Sequence, residues 1–599
     1  MIRAWQTALS KIYLAIHNME EMIIDPLPLK IKVKEPPDTI IRNGRLVNVF
    51  TNNIIDGLAV TIKDRYITGI GKESLFTQGE GTDIIDAEGL YLCPGFIDSH
   101  THLDFMLPFY ALVPYALKGG TTTIVSECAM VATSCGLEGL QSFIESTKGY
   151  PIHCFFLAPP LTPPFPSMED ARGLTFHQFA RMLKRKDFLG IGEAYWTRIV
   201  EHDSLIFKRF ALALSLRKTI EGHSAGARND KLFQYLLTGI TSCHESITMG
   251  EALEKLRFGI YVMIREGWIR RELDELYQLK DSGVDERRII LVSDVFDPVL
   301  LYSKGYMDVI VKKAIDYGFT PIQAIKMVTI NPADYFGLRH LGAIAPFRYA
   351  DILFLKDIST IAIQKVMVNG KMVWSEGGHT SSVAPFKYPP TMIKTIKMDH
   401  MIEDDFRIKA HRTKRRVRVI VIVNETITCE KITTLPTSSG YTLGDIALDI
   451  IYVAVINRKS GKTISKGFIK GTGIRRGAVT TSVVWDTGNI LVVGSTERDM
   501  ALAVNRLIEI QGGYVVAKAG EIICDFSMPA YGLIPTSSME EIVRRFRNFE
   551  WAMKEIGSIL TNPLLTLQTI PFTGLPSLRI TDKGIADIKA KHLVSLYVD

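Results

Sequence analysis

The sequence predicts an α/β protein: a (β/α)8 TIM-like barrel, a small sheet split around it, and an extra C-terminal α+β domain. Three observations predict this. Beyond Pro94, short apolar runs such as "TTTIVSEC", "IHCFFLAP", "FLGIGEAY", "TIEGHSAG", "GITSCHES" and "RIILVSDV" alternate with longer helical patterns as far as residue 338. Strands alternating with helices imply parallel βαβ units, and this many in one stretch fit an eight-stranded barrel. Alternating strand patterns broken by Gly, Asn and Asp turns precede that region, and similar ones return after it.

Taken in order, residues 1–37 place apolar side chains at helical spacing and form an N-terminal helical extension. Glu20 and Glu21, with no small-residue cleavage site, exclude a secretion signal. Residues 38–93 hold the strands "TIIRNGRLVNVFT", "LAVTIKDRYITGIG" and "TDIIDAEGLYLC". The barrel occupies 94–338 and ends after "TINPADYFGL". Short strands in "GAIAPFRYADILFLKD" and "VMVNGKMVWSEG" (339–398) resemble those before the barrel in length and composition, so the two segments are expected to share one sheet. Residues 399–599 mix strands such as "RVRVIVIVN" with helices such as "STERDMALAVNRLIEIQGG", where Ser495 or Thr496 caps the start and Gly512 the end. A chain of 599 residues exceeds what one hydrophobic core supports, so several units are required.

Composition narrows the function. The net charge of +6 is small for this length, and its one dense patch, "RIKAHRTKRRVRVI" (407–420), runs into an alternating strand and reads as a solvated edge or linker rather than a nucleic-acid surface. Seven cysteines, odd in number and without a CxxC pair, argue against disulfides and a cysteine zinc site. The longest apolar stretch, 446–456, is too short to span a bilayer and contains Asp449. A soluble, cytoplasmic protein is expected. No Walker loop, dinucleotide-binding GxGxxG or GxSxG elbow is present.

The informative stretch is "CPGFIDSHTHLDFM" (93–106). Strand alternation points His100 and His102 to the same side, so two imidazoles converge on one point. In such a barrel the chemistry sits at the C-terminal strand ends. Glu193 ends "LGIGE", His223 ends "TIEGH", His244 ends "GITSCH" and Asp294 ends "IILVSD". Four imidazoles and two carboxylates suffice for two divalent ions bridged by Glu193, which would lower the pKa of a shared water and polarise the bond under attack. Asp294 would carry the proton from that water to the leaving group.

With these residues in view, the chain resembles the amidohydrolase superfamily and, more closely, its adenine deaminase family. "PGFIDSHTH" and "GAIAPFRYADILFL" carry the broader resemblance. "EGHSAG", "SCHESITMGEALEKLRFGIYVMIREG", "TINPADYFGL", "GTGIRRGAVTTSVVWDTGNILVVG" and "DMALAVNRLIEIQGG" carry the narrower one. The resemblance implies a barrel flanked by a split β-sandwich and hydrolysis of adenine to hypoxanthine and ammonia. It also implies manganese, with iron or zinc as alternatives, a purine as the small-molecule partner, and a homo-oligomer. Asp294 and Glu245 are then the expected catalytic residues, although Glu245 either grips the purine or orients His244.

The sequence departs from the family around these ligands. Leu103, Asp104, Phe105 and Met106 replace Ile-Glu-Ser-Ser; Glu127, Cys128, Ala129 and Met130 replace Asp-Pro-His-Glu; Val295, Phe296 and Asp297 replace Asp-Arg-His. In "WDTGN", Trp485 and Gly488 replace the two histidines of His-Asp-Ser-His-Asn. Asp104, Phe105, Glu127 and Asp297 are the expected substrate contacts. Because these differences fall on the pocket, two other readings stand beside adenine: a hydrolase of a related aminopurine or cyclic amide, and a non-catalytic member of the fold.

Overall fold

The computed structural model describes residues 35–200, 203–379, 383–411 and 416–598. All but the last three residues of the expected helical extension, and the middle of the basic patch, lie outside them. Eight short parallel strands follow Gly95: β1 (Phe96–His102), β2 (Thr121–Glu127), β3 (His153–Ala158), β4 (Phe188–Tyr195), β5 (Thr219–His223), β6 (Ser242–Cys243), β7 (Tyr261–Arg265) and β8 (Ile289–Val292). β1 to β5 pair in sequence order as one sheet and β6 to β8 as another. The Thr241 N–H donates to Ile220 O at 3.3 Å between the two sets.

The sheet curls until its end meets its beginning. Asp294 N donates to His100 O at 3.0 Å and His102 N to Asp294 O at 2.9 Å, a parallel bridge between the chain leaving β8 and β1. Burial explains why these segments are strands: β2, "TTTIVSE", is buried throughout and rich in β-branched residues, as expected for a parallel strand covered on both faces. The helices between them carry their own start signals. Phe176–Leu183 begins at a Thr175–Gln178 capping box and Pro321–Lys326 at a Thr320–Gln323 box with proline in its first turn.

Tyr91–Pro94 pairs antiparallel with Ile352–Leu355, so segments before and after the parallel strands join one nine-stranded sheet. A second nine-stranded sheet, largely antiparallel, forms beyond residue 415 and packs against Glu497–Glu509, whose start is capped by Thr496. Its loops reach back over the parallel strands: Met106 N donates to Leu533 O at 2.9 Å, and Thr573 Oγ1 to Glu169 Oε2 at 2.8 Å. One hydrophobic core runs continuously from the helices between the parallel strands into this C-terminal region. Among the described residues no helix is long and apolar enough to cross a membrane.

Candidate metal centre

Each proposed ligand emerges at the C-terminal end of its strand, and Glu193 stands at the centre of the group. Its Oε1 lies 3.3 Å from His100 Nε2, 3.0 Å from His102 Nε2 and 3.5 Å from His244 Nε2; its Oε2 lies 3.0 Å from His223 Nδ1. Asp294 Oδ1 is 3.7 Å from His100 Nε2 and 3.5 Å from His102 Nε2. The six residues thus form two donor groups that share Glu193: His100, His102, Glu193 and Asp294, then Glu193, His223 and His244.

The donors also fit a metal by what they lack. Both ring nitrogens of His100 and Nδ1 of His244 are buried without a hydrogen-bond partner, a costly condition unless something binds there. Imidazole nitrogens combined with carboxylate oxygens suit divalent zinc, iron or manganese rather than a thiol-seeking ion. Burial pushes the Glu193 carboxyl up, but the imidazoles of His244, His100, His102 and His223 around it outweigh this and hold the group well below the usual range. His244 is pushed well below its ordinary value by burial and by His100. Asp294 adopts φ 58°, a left-handed backbone rare outside glycine, fixed by its two bonds to β1.

Comparison with known proteins decides the family. The amidohydrolase family profile matches residues 91–373, and the adenine deaminase C-terminal domain profile matches 425–592. A protein of Moorella thermoacetica named adenine deaminase is 36% identical over 575 residues, covering 94% of this chain and 96% of that one. One from Methanococcoides burtonii, with the same name, is 34% identical over 571 residues with the same coverage. The chain belongs to the adenine deaminase family. Among solved structures, a β-aspartyl dipeptidase from Fervidobacterium islandicum AW-1 has a TM-score of 0.45 at 17% identity, covering 57% of this chain and 99% of that one.

Within this adenine deaminase relative, a cavity of about 540 Å³ opens above the ligands. Glu127 lines it, and its Oε1 accepts from Glu193 N at 3.0 Å. The approach is so close that a Cβ on Gly192 would lie 2.0 Å from Glu127 Oε2, which accounts for glycine there. Burial, with Glu193 adding to it, raises the Glu127 carboxyl to about 8, against the pull of His100 and His102. Phe105 also lines the cavity, its ring 6.3 Å from that of His102.

The other two expected contacts sit elsewhere. Asp104 is fully buried beneath the cavity wall, where Oδ2 accepts from Val131 N at 3.1 Å and Oδ1 has no partner. Asp297 caps the helix Pro298–Ser303, accepting from Val299 N at 2.7 Å and Leu300 N at 3.2 Å. Of the large apolar replacements, Phe105, Met130 and Trp485 face the cavity, as do the smaller Ala129 and Val295, whereas Met106 and Phe296 are packed in the core.

Glu245 is held by the fully buried Arg265 and lies 3.7 Å from His223 Nε2. Arg265 also pairs with Glu272, Nε to Oε2 at 3.1 Å, and lies 3.5 Å from Asp294 Oδ2. Burial raises the Asp294 carboxyl, but His102 and Arg265 outweigh this and hold it below its ordinary value. Arg265 ends "YVMIR", and a charge closing an apolar strand is the signal by which sequence reasoning could have found it. Tyr195 and Asp486, joined at 3.0 Å between Tyr195 Oη and Asp486 Oδ2 beside the cavity, escaped it because they lie 291 residues apart.

Proposed function

We propose that this protein hydrolyses the exocyclic C–N bond of adenine, giving hypoxanthine and ammonia, with two divalent ions, manganese foremost, held by His100, His102, Glu193, His223, His244 and Asp294. The supporting observation is the convergence of two donor groups on Glu193 at the floor of a cavity, in a chain of the adenine deaminase family. In the same reading the parallel strands form a closed (β/α)8 barrel over 94–338, segments 38–93 and 339–398 form its split β-sandwich, and 399–599 is the C-terminal domain. A cytoplasmic homo-oligomer acting in purine salvage completes it, with no nucleic acid or membrane as partner.

When bound, such ions supply an activated water at neutral pH and polarise the bond being broken. The protein's own groups do the rest. Asp294, kept ionised by His102 and Arg265, accepts a proton and delivers it to the departing nitrogen. Glu127, whose carboxyl burial raises to about 8, lines the cavity where it would hydrogen-bond a ring nitrogen of the purine. Glu245, fixed by Arg265, orients His223 and stands at the cavity wall within reach of the ring.

The test is ammonia release from adenine by purified, manganese-loaded protein, with metal content measured alongside. Release that disappears with chelation and returns with manganese supports the reading. Bound metal without release from adenine removes it.

A further inference from the structure

The cavity is larger than the ring that the proposed reaction consumes. Its 540 Å³ would hold roughly eighteen waters at about 30 Å³ each. Adenine, with about ten heavy atoms, displaces only a fraction of that volume. Much of the remaining wall is apolar, Leu161 and Ile206 from the barrel side and Ile427, Phe572, Leu575 and Pro576 from the C-terminal region, with Thr426 and the charged Arg198, Arg228, Glu251 and Arg270 also lining it. Trp485 joins the apolar set, its indole N–H already given to Gln568 Oε1 at 3.0 Å and its ring 5.2 Å from Phe572. Other polar groups gather at one end, where Glu127, Glu245 and the Tyr195–Asp486 pair surround the metal ligands.

Resting on the deaminase reading above, we infer that the preferred substrate is a 6-aminopurine carrying an apolar substituent of several carbons, on the amine or on the ring. The polar end takes the purine edge and the reacting carbon. The apolar end takes the substituent, which replaces water that apolar walls hold poorly. Arg198 is paired with Asp203 at 2.5 Å and Arg228 with Glu251, so an anionic substituent would meet the exposed Arg270 and not those two. In the reaction, the oxygen of water bonds to C6 as the C6–N6 bond breaks, and a proton from that water goes to the leaving nitrogen. A substituent on the amine therefore departs as a primary amine, whereas one on the ring leaves ammonia as the product.

Steady-state rates of the manganese-loaded full chain on adenine, N6-benzyladenine, 9-benzyladenine and adenosine 5′-monophosphate test this. Calorimetric titration with purine, 9-benzylpurine and 6-phenethylpurine, which carry no amine to lose, gives binding apart from turnover. At least one benzyl substrate should exceed adenine in kcat/KM by about tenfold, and the matching amine-free ring should bind about tenfold tighter than purine. The product, benzylamine or ammonia, identifies where the substituent sits. Adenine or the nucleotide turned over fastest, or purine bound as tightly as its substituted forms, overturns the inference. Tighter binding of a substituted ring with no turnover of any amine overturns the deaminase reading and leaves the shape of the ligand standing. Trp485→Ala should lower the benzyl-to-plain binding ratio by about tenfold, and Ile247→Ser, at a mouth position 52% exposed where folding is not at risk, by about threefold. An unchanged ratio in both variants also overturns it.

Discussion

His100, Glu193 and Asp294 illustrate how far single side chains can be read from sequence. An ionisable residue closing an apolar run has no reason to be there for packing, and six such residues in strand order were legible without coordinates. Their consequences separate by role. Asp294→Asn keeps an oxygen donor and the left-handed backbone, so metal content measured by atomic absorption should persist while turnover falls about a thousandfold. His100→Ala removes a buried ligand and should lose both. Asp297 shows the limit: it too follows an apolar run, but its carboxylate caps a helix, a local use that spacing alone does not distinguish from a substrate contact. Glu169 was invisible for a different reason, since its setting is made by distant chain. Burial, reinforced by Asp486, raises its carboxyl from 4.5 to about 8, although Phe165 N and Thr573 Oγ1 donate to it. The folded protein therefore keeps a proton that the unfolded chain releases above about 4.5. Stability falls as pH rises from about 4.5 to 8, and the contribution is fully present only below that window. Glu169→Gln should flatten this part of the stability profile measured by denaturant titration, whereas an unchanged slope would place the titration elsewhere.

Strands and their loops were legible where burial is two-sided or alternation is strict, as in β2 and in Thr39–Asn48. β6 has only two residues in the ladder, yet His244 still emerges where a strand end predicts, because its neighbours β5 and β7 fix the position. The loop 569–577 could not be placed from sequence, although it forms part of the cavity roof. It is pinned by Arg579, buried without a carboxylate partner. The guanidinium donates to four carbonyls: Leu575 at 3.1 Å, Thr569 at 2.9 Å, Thr426 at 2.6 Å and Pro576 at 2.5 Å. Burial lowers its pKa to about 9, but the charge-assisted bonds fix two cavity-lining segments relative to each other. Arg579→Met should loosen that roof, raising KM about tenfold with a smaller effect on kcat. Hydrogen exchange should quicken at 569–577 while the metal ligands keep their protection; a kcat loss equal to the KM effect would argue against a roof role.

The largest gap between sequence and structure is how the chain's units meet. Composition divided the chain into segments, but nothing in it placed Trp485, Asp486 and Phe572 against β4 and β5, because such contacts join residues hundreds apart. The result is a site whose ligands come from β1, β4, β5 and the chain after β6 and β8, that is, from both parallel sheets and from the bridge that returns the last strand to the first. A divalent ion held there ties these elements together in the folded chain and has no equivalent partner in the unfolded one. Binding free energy therefore becomes folding free energy, about 4 kcal/mol when free metal exceeds its dissociation constant a thousandfold. Without the ion, Glu193 must be balanced by protons on the surrounding imidazoles, with His223 raised to about 9 by Glu245 and Glu193 against its burial. Those protons are released when metal binds, so the stabilisation should grow as pH rises toward 9 and weaken under acid conditions. Thermal unfolding followed by calorimetry should show a transition lowered by several degrees after chelation and restored by manganese, with the difference shrinking below neutral pH. His223→Ala should reduce that metal-dependent gap because one of the two donor groups is then incomplete. A transition temperature indifferent to metal in both proteins would mean that the six residues are held together by hydrogen bonds and charge alone.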